Sequence, residues 1–373
     1  MKQLFVVMVS FAFYAHGYCQ QFYVFVGSYN TNKNNDGLYV YLLDTSSGSL
    51  TKISSVNNVL NPSLITLLPK GNLLYACTDT RTVGAGSVTS FIFNPLQGRV
   101  APVDSKKSGG DNPVYVSTNP TGKWVIAANY SGGSAAVFKV DANGGVSDAA
   151  QVITYTDSSI NKNRQEKSHV HSAVFSPNGK YAFFPDLGAD KIRIYRFKAN
   201  SKTPLQPTNP AFVQTTPGSG PRHLIFNKAG NIAWCIEEMA GAICTYRFAR
   251  AKLTLLQRVM THPATVTGDH KSADLHLSPD ERFLYATNRE DENNIAIFSV
   301  AKNGQLTNIG YHPTSGLHPR NFAIDPTGNF LIVANQNTGN LVVLRRNKIT
   351  GLLQNTGVEV RVDSPSCVKI REY

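Results

Sequence analysis

Residues 170–184 read VHSAVFSPNGKYAFF, and this stretch decides the fold. A short apolar segment leads into Ser-Pro-Asn-Gly, and a second apolar segment rich in aromatic residues follows. Proline presets φ for the first position of a tight turn, and glycine accepts the positive φ that ends it. The stretch therefore predicts a β-hairpin made of two short strands.

The same block recurs along the chain. Each copy has a polar or proline-led start, an apolar strand, a turn, a second apolar strand, a polar loop and a third strand. The copies cover residues 62–77, 113–140, 170–197, 221–248, 272–300 and 319–346. Their turns end at Gly71, Gly122, Gly179, Gly230 and Gly328, with Glu281 in the remaining copy. Starts about 50 residues apart are typical of four-stranded propeller blades.

A seventh block is divided between the two ends of the sequence. Residues 365–370 read as its first strand, and residues 22–44 read as its remaining strands. We therefore predict an all-β, seven-bladed β-propeller whose ring is closed when the C-terminal strand pairs with N-terminal strands. Such closure removes free sheet edges. Residues 18–373 would form this single domain, and the proline-rich stretch 202–221 is expected to be a loop above the ring.

The N-terminus has the pattern of a secretory signal. A positively charged start precedes an apolar run of about a dozen residues and then small residues spaced for cleavage. We expect residues 1–17 to be a signal peptide, with cleavage as late as residue 20. The run is too short to span a bilayer, and no later segment is apolar enough. The sequence thus predicts a secreted or periplasmic protein without a membrane span, or a cytoplasmic one if the segment is retained.

The chain is basic, with a formal net charge of +12 and an isoelectric point near 9.4. Such a balance is compatible with nucleic acid, an anionic surface or an anionic substrate. No run of lysine and arginine is interleaved with aromatic residues, so nucleic-acid binding is disfavoured. The oligomeric state is not indicated by the sequence.

Five cysteines do not make a disulfide framework. Cys235 and Cys244 are equidistant from a turn at Met239-Ala240 and would face each other across a hairpin. We expect two buried free thiols, although an oxidising compartment would permit a bond. Neither CxxC nor HExxH is present, so no metal site is predicted.

The repeat allows polar residues to be compared between blades. His171, Arg222 and Arg320 lie eight residues before their turns, where the innermost strand begins. Tyr130 and Glu238 lie eight residues after theirs, where the second strand ends, and Arg289 and Tyr29 complete that set in other blades. Because the two strands are antiparallel, both sets converge at one mouth of the central channel. Several arginines held together repel one another without a ligand, which indicates a functional cluster.

A cluster of this composition suits the hydrolysis of a small anionic lactone. His171 or Glu238 would act as general base, and the arginines would hold a phosphate or carboxylate group and offset oxyanion charge. Tyr29 and Tyr130 would pack against a sugar ring.

Further histidines lie near this site in sequence. His223, Asp274 and His276 either bind substrate or form a buried Asp–His pair that holds the rim. His169 is expected in a loop, and three histidines of the C-terminal half are expected to be solvated: His270, His312 and His318.

The motifs at residues 170–177, 220–223, 234–238, 273–276, 288–289 and 319–322 occur in the order found in a known family. They resemble the lactonase family of seven-bladed propellers, which includes bacterial 6-phosphogluconolactonase and the fungal 3-carboxy-cis,cis-muconate lactonizing enzyme. The resemblance implies ester hydrolysis of a sugar lactone, as in opening 6-phosphogluconolactone during glucose metabolism, with no obligatory metal or cofactor. It also implies four active-site residues: His171, Arg222, Glu238 and Arg289. Substrate binding would fall to Arg320, His223, Asp274, His276, Tyr29 and Tyr130.

Two features depart from that expectation. A secreted enzyme would not normally meet a phosphorylated sugar, and Asn321 stands where relatives often have glycine, which would narrow the site. An unphosphorylated aldonolactone or an acidic sugar derivative is therefore an alternative substrate. A muconate-type lactonizing cycloisomerase and a non-catalytic propeller that binds carbohydrate or protein remain alternative functions.

Overall fold

The computed structural model describes residues 20–373 except residues 31, 33, 79–81 and 269. The described residues form 28 strands and no helix. These strands make seven four-stranded antiparallel sheets, which are the blades of a propeller. The predicted all-β, seven-bladed architecture is confirmed.

The strands follow one another regularly along the chain. Blade 1 contains β1 (Phe22–Ser28), β2 (Leu38–Leu43) and β3 (Leu50–Val56). Blade 2 contains β4 (Pro62–Leu67), β5 (Leu73–Thr78), β6 (Ser87–Asn94) and β7 (Arg99–Lys107). Blade 3 contains β8 (Pro113–Thr118), β9 (Trp124–Asn129), β10 (Ser134–Val140) and β11 (Val146–Thr154). Blade 4 contains β12 (Val174–Phe175), β13 (Tyr181–Asp186), β14 (Lys191–Phe197) and β15 (Leu205–Gln214).

The remaining blades repeat this order. Blade 5 contains β16 (Pro221–Phe226), β17 (Ile232–Glu237), β18 (Ala242–Ala249) and β19 (Lys252–Met260). Blade 6 contains β20 (Ser272–Leu277), β21 (Phe283–Asn288), β22 (Asn294–Val300) and β23 (Leu306–Pro313). Blade 7 contains β24 (Pro319–Ile324), β25 (Phe330–Asn335), β26 (Asn340–Arg346) and β27 (Leu353–Arg361). The last strand, β28 (Pro365–Glu372), belongs to blade 1.

The turn between the first two strands of a blade has the backbone that its sequence predicts. Gly179 has φ of 67°, and its amide donates to the Ser176 carbonyl at 2.8 Å. Glu281 takes the glycine position in blade 6 with φ of 57°, and its amide donates to Ser278 at 2.8 Å. A left-handed backbone is strained for a residue other than glycine, yet this turn keeps the same hydrogen bond.

Ring closure occurs where the sequence places it. β28 pairs antiparallel with β1, with Val368 opposite Val26, and β28 also packs beside β4 and β24. The buried core lies between the blades: one cluster combines Phe25 of blade 1 with Phe93 of blade 2 and Phe138 of blade 3. Each blade is therefore stabilised by its neighbours rather than by a core of its own.

The prediction for residues 202–221 is wrong in part. The stretch was expected to be a loop, but residues 205–214 form β15, the outer strand of blade 4. Pro207 and Pro210 are tolerated there because an edge strand needs donors on one side only. The pairing of β14 with β15 also shifts register beside them, and a bulge accommodates a missing amide hydrogen.

Two other predictions can be placed. Cys235 and Cys244 lie directly opposite each other in β17 and β18, and both are buried free thiols, as expected. Residues 1–17, predicted to be a signal peptide, lie outside the described residues. Within the described residues, no helix has the length and apolar character needed to cross a membrane.

A chain that ends at Asp363 should lose cooperative unfolding, because removal of β28 exposes the backbone of β1 and the apolar faces that Val368 covers. Thermal unfolding followed by circular dichroism measures this. A chain that begins at Gln20 but keeps β28 is the control and should unfold like the full chain. Equal transition temperatures for the two shortened chains would contradict the importance of ring closure.

Candidate active site

The side chains at the channel mouth come from a shared irregularity of the inner strands. In blade 5 the pairing of β16 with β17 passes from Pro221 to His223, so Arg222 is the extra residue of a bulge. The corresponding pairings in blades 1, 2, 3, 6 and 7 also shift at this point, and in blade 7 the extra residue is Arg320. A β-bulge redirects a side chain. In these blades, the residue that lies eight positions before the turn in the sequence is therefore the bulged residue of the inner strand.

Blade 4 has a larger break at the same position. Val170 bridges Asp186, but regular pairing resumes only at β12, which leaves His171 outside the ladder. Its amide donates to the Pro185 carbonyl at 2.9 Å. Pro185 has no amide hydrogen to return, so the ladder is incomplete at this point. The break places the buried imidazole of His171 at the channel mouth.

Glu238 is the centre of the site. Its Oε2 accepts a hydrogen bond from Arg222 Nε at 2.9 Å and lies 3.1 Å from Arg289 Nη2. Its Oε1 accepts from Arg164 Nη2 at 2.7 Å. His171 Nε2 lies 4.0 Å from Oε2, too far for a direct hydrogen bond. The structure thus brings together the four residues predicted as catalytic.

The charges around Glu238 keep it ionised. Burial alone would raise its pKa, but Arg289 and Arg222 outweigh burial and hold the pKa well below the usual range of a glutamate. Both oxygens are also occupied by guanidinium groups. A carboxylate in this state is a weak base, and it serves instead to fix the arginines in place.

His171 is held neutral. Burial and the positive charge of Arg222 keep its pKa well below the usual range of a histidine. Its Nδ1 is buried and has no hydrogen-bond partner among the described residues. The edge of the ring faces Tyr130, at 5.3 Å between centroids, and His223, at 5.4 Å.

Arginines outnumber Glu238 at this mouth. Burial and the neighbouring Arg289 and Arg320 lower the pKa of Arg222, although an arginine side chain stays charged in proteins. Glu238 raises the pKa of Arg222, but burial and the two neighbouring arginines outweigh it. A small anion at the mouth would supply the missing negative charge.

His223, Asp274 and His276 form one hydrogen-bonded network, in which His223 and Asp274 are buried and His276 is partly exposed. Asp274 Oδ1 lies 2.7 Å from His223 Nδ1, and Asp274 Oδ2 lies 2.9 Å from His276 Nε2. Asn321 Nδ2 also donates to Asp274 Oδ2, and its Oδ1 accepts from the Val368 amide at 2.7 Å. The aspartate oxygens are thus engaged by protein groups, which is the arrangement expected of residues that hold the rim. Direct contact of this network with substrate stays a prediction.

The two tyrosines follow strands of different blades, Tyr29 after β1 and Tyr130 after β9. Tyr29 lies under the Arg320 guanidinium, 5.2 Å from it to the ring centroid. Tyr130 stacks on His169 at 4.4 Å between centroids. Packing of either ring against a sugar stays a prediction.

Arg164 was missed by sequence reasoning. It lies in the connection between β11 and β12, where no repeat register applies, so no sequence signal pointed to it.

The position predicted for His318 is wrong. It was expected to be solvated, but its side chain is only 17% exposed, and its Nε2 lies 3.4 Å from Arg289 Nη1. Burial and the arginines lower its pKa to about 3. One sequence feature could have indicated that His318 lies at the site: it directly precedes Pro319-Arg320, at the bulge of blade 7. His169 lies in a loop as expected, and it is buried.

A buried carboxylate held by guanidinium groups beside a neutral imidazole defines a seven-bladed propeller with a positively charged site at its channel mouth. Comparison with known proteins agrees with this class. Residues 23–370 match the family described as lactonase, 7-bladed beta-propeller. The chain belongs to that lactonase family, which confirms the resemblance read from its motifs.

Individual relatives cover nearly the whole chain. The 6-phosphogluconolactonase of Formosa agariphila is 35% identical over 94% of this chain and 99% of its own. The 6-phosphogluconolactonase of Bacillus subtilis is 30% identical over 92% and 97%. Among solved structures, the periplasmic gluconolactonase of Pseudomonas aeruginosa is similar with a TM-score of 0.89 and 36% identity, over 94% of this chain and 99% of that one.

Replacement of Glu238 by glutamine should destabilise the protein by about 3–5 kcal/mol, because it leaves buried arginines without their counter-charge. The free energy of unfolding in urea measures this. Glu372→Gln, at an exposed position of β28, is the control and should change stability by less than about 0.5 kcal/mol. If the two variants are equally stable, Glu238 does not balance the arginines.

Proposed function

We propose that this protein hydrolyses a small sugar lactone, with 6-phosphogluconolactone as the first candidate substrate. The proposal rests on one observation. Arg222 and Arg289 both form ion pairs with Glu238 at the channel mouth, and the neutral His171 lies beside them. The names of the relatives support it, since two are 6-phosphogluconolactonases and a third is a gluconolactonase.

We propose that His171 is the general base. Its neutral imidazole can take a proton from water as the oxygen of that water attacks the lactone carbonyl. The carbonyl electrons move onto the oxygen, and Arg222 and Arg289 stabilise the resulting oxyanion. When the tetrahedral intermediate collapses, the ring ester bond breaks, and His171 returns the proton to the leaving alkoxide. The product is the open hydroxy acid, and the imidazole is neutral again.

The other candidate base, Glu238, is less suited to this step. Its lowered pKa and its contacts with Arg164, Arg222 and Arg289 make it a poor proton acceptor. The role that we assign to Glu238 is positioning: it holds the guanidinium groups against their mutual repulsion.

The anionic end of the substrate would bind at Arg320. Its guanidinium lies over Tyr29 at the mouth, and guanidinium groups bind phosphate and carboxylate through paired hydrogen bonds. Tyr130 lies across the mouth beside His171, where its ring could pack against the sugar.

Gluconolactone without phosphate is the second candidate substrate. The signal-like segment at residues 1–17 and the periplasmic relative from Pseudomonas aeruginosa favour export, and exported proteins meet unphosphorylated sugars. We propose export to the periplasm on this basis.

The ratio of kcat/KM for the two lactones separates the two candidate substrates. Arg320→Ala should reduce turnover of the phosphorylated lactone more than that of gluconolactone.

The purified protein should open 6-phosphogluconolactone or gluconolactone faster than buffer does. His171→Asn should lower kcat by about 10²–10⁴-fold, because the amide cannot accept the proton. Proton release in a weakly buffered pH-indicator assay measures the rate, after subtraction of spontaneous opening. His312→Asn, outside the site on β23, is the control and should keep wild-type kcat.

Rescue separates the two possible bases. His171→Gly should regain part of its activity in added imidazole, whereas Glu238→Gln should not respond to added formate. Wild-type rates equal to the buffer blank across both lactones would refute the hydrolase proposal. A binding propeller would instead show saturable lactone binding without turnover.

The pH profile should lack the acid limb of an ordinary histidine. A base works when deprotonated, so activity is lost only as the pH falls through the pKa of His171 in the folded protein. Burial and Arg222 hold that pKa well below 6.5. We expect constant kcat from pH 8 to below pH 6, measured as above. An acid limb with its midpoint near 6.5 would contradict the assignment of His171.

A further inference from the structure

A second group of polar side chains lies outside the lactone site. It contains His262 and His270, from the connection between blades 5 and 6, and Glu292, from the turn between β21 and β22. One ligand atom from each lies within 4.8 Å of the other two. His262 is buried, and the other two are partly buried. His270 was expected to be solvated, and that prediction is wrong.

Hydrogen bonds fix the tautomer of His262. Its Nε2 lies 3.1 Å from Ser272 Oγ. That hydroxyl has one hydrogen and donates it to Asn288 Oδ1 at 2.9 Å. Asn288 is fixed in turn, because its amide nitrogen donates to the Thr261 carbonyl at 2.8 Å. The hydroxyl also lies 2.8 Å from the Thr261 hydroxyl, which can donate to it. In the arrangement that satisfies Asn288 Oδ1, the Ser272 hydroxyl accepts from His262, so the imidazole carries its proton on Nε2.

This tautomer leaves a lone pair on His262 Nδ1, and that atom is in contact with Glu292 Oε1. A nitrogen lone pair and a carboxylate oxygen repel each other unless a cation lies between them. His270 adds a third donor, since its Nδ1 is buried without a hydrogen-bond partner among the described residues. A shared proton would join His262 to Glu292 but would not include His270, whereas a metal ion can bind one ligand atom of each of the three residues.

The local backbone is shaped for this grouping. Gly241, with φ of 61°, lies at the turn between β17 and β18. A Cβ at this position would lie 2.3 Å from the His262 ring and 2.7 Å from His270 Cβ. Only glycine lets the two imidazoles pack here, at 4.2 Å between centroids.

We propose that His262, His270 and Glu292 bind one divalent transition-metal ion of the Zn²⁺ class. Two imidazole nitrogens and one carboxylate oxygen are the ligands that such ions prefer, with water completing the shell. The Nε2–H of His262, donated to Ser272, is the outer contact that orients a metal-binding imidazole. No linear sequence motif indicates this site, because its ligands come from two separate connections, β19–β20 and β21–β22.

The ion would brace the lactone site without entering it. The Ser272 amide donates to the Glu238 carbonyl at 3.2 Å, and Arg289 Nε donates to the Lys271 carbonyl at 2.9 Å. Glu292 follows Arg289 in the same turn. A metal that links His270 to Glu292 therefore ties together the two segments that position Arg289.

Metal binding tests the proposal directly. Full-length protein stripped with a chelator should bind one Zn²⁺ per chain in titration calorimetry. Co²⁺ in the same site should give visible absorption of a site with nitrogen and oxygen ligands. A Zn²⁺ excess of about 100-fold over Kd should raise the transition temperature by a few degrees.

His270→Ala and Glu292→Gln change partly exposed ligands. Each should weaken Zn²⁺ binding by at least about tenfold and, at the same Zn²⁺ concentration, reduce the thermal shift by about half or more. His312→Ala removes a histidine outside the group and should bind like wild type. Absence of saturable wild-type binding, or equal affinity in all variants, would overturn the proposal. These three residues lie outside the proposed lactone site, so the result stands whether or not lactone hydrolysis is detected.

Discussion

The channel mouth depends on one buried carboxylate. The carboxylate oxygens of Glu238 lie within 3.1 Å of guanidinium nitrogens of Arg222, Arg164 and Arg289. Without this carboxylate the three guanidinium groups would repel one another, because the protein interior screens charge poorly. The same contacts remove Glu238 from proton transfer. One side chain thus makes the positive cluster possible, while the neutral His171 beside it is left to do the chemistry that we propose.

The architecture explains how residues far apart in sequence meet. Six blades have a bulge at the start of the inner strand, and blade 4 has a break in the ladder there. The second strand of each blade ends beside this position, so residues from both strands lie at the same mouth. In blades 1 to 3 the residue at the start of the inner strand is small or apolar: Ser366, Ser63 or Val114. Blade 4 supplies His171, and blades 5 to 7 supply Arg222, Glu238, Arg289 and Arg320. The ring is thus a common frame, and the chemistry is concentrated on one side of it.

The sequence predicted the fold well because the fold is periodic. Turn glycines, strand lengths and the divided seventh blade all carry the same information, and Glu281 shows that one weak turn does not disturb the rest. The repeat placed four residues at the mouth because equivalent positions of the repeats lie at equivalent places in the blades: His171, Arg222, Glu238 and Arg289. Arg164 was missed because it belongs to a connection without register. His318 and His270 were misplaced because burial in loops depends on which neighbouring loops pack over them, and this has no periodic signature. β15 was missed because proline content is a poor guide on an edge strand.

The position of β28 has a consequence for folding. The inner strand of the first blade is the last of the 28 strands of the described chain, so the other blades can form while the seam of the ring is still open. Along that seam, β1 lacks its partner, and β4 and β24 lack their neighbour. Exposed strand edges of this kind favour association between chains. Docking of β28 is therefore the folding step that covers these edges, and slow docking would lengthen the time in which chains can aggregate.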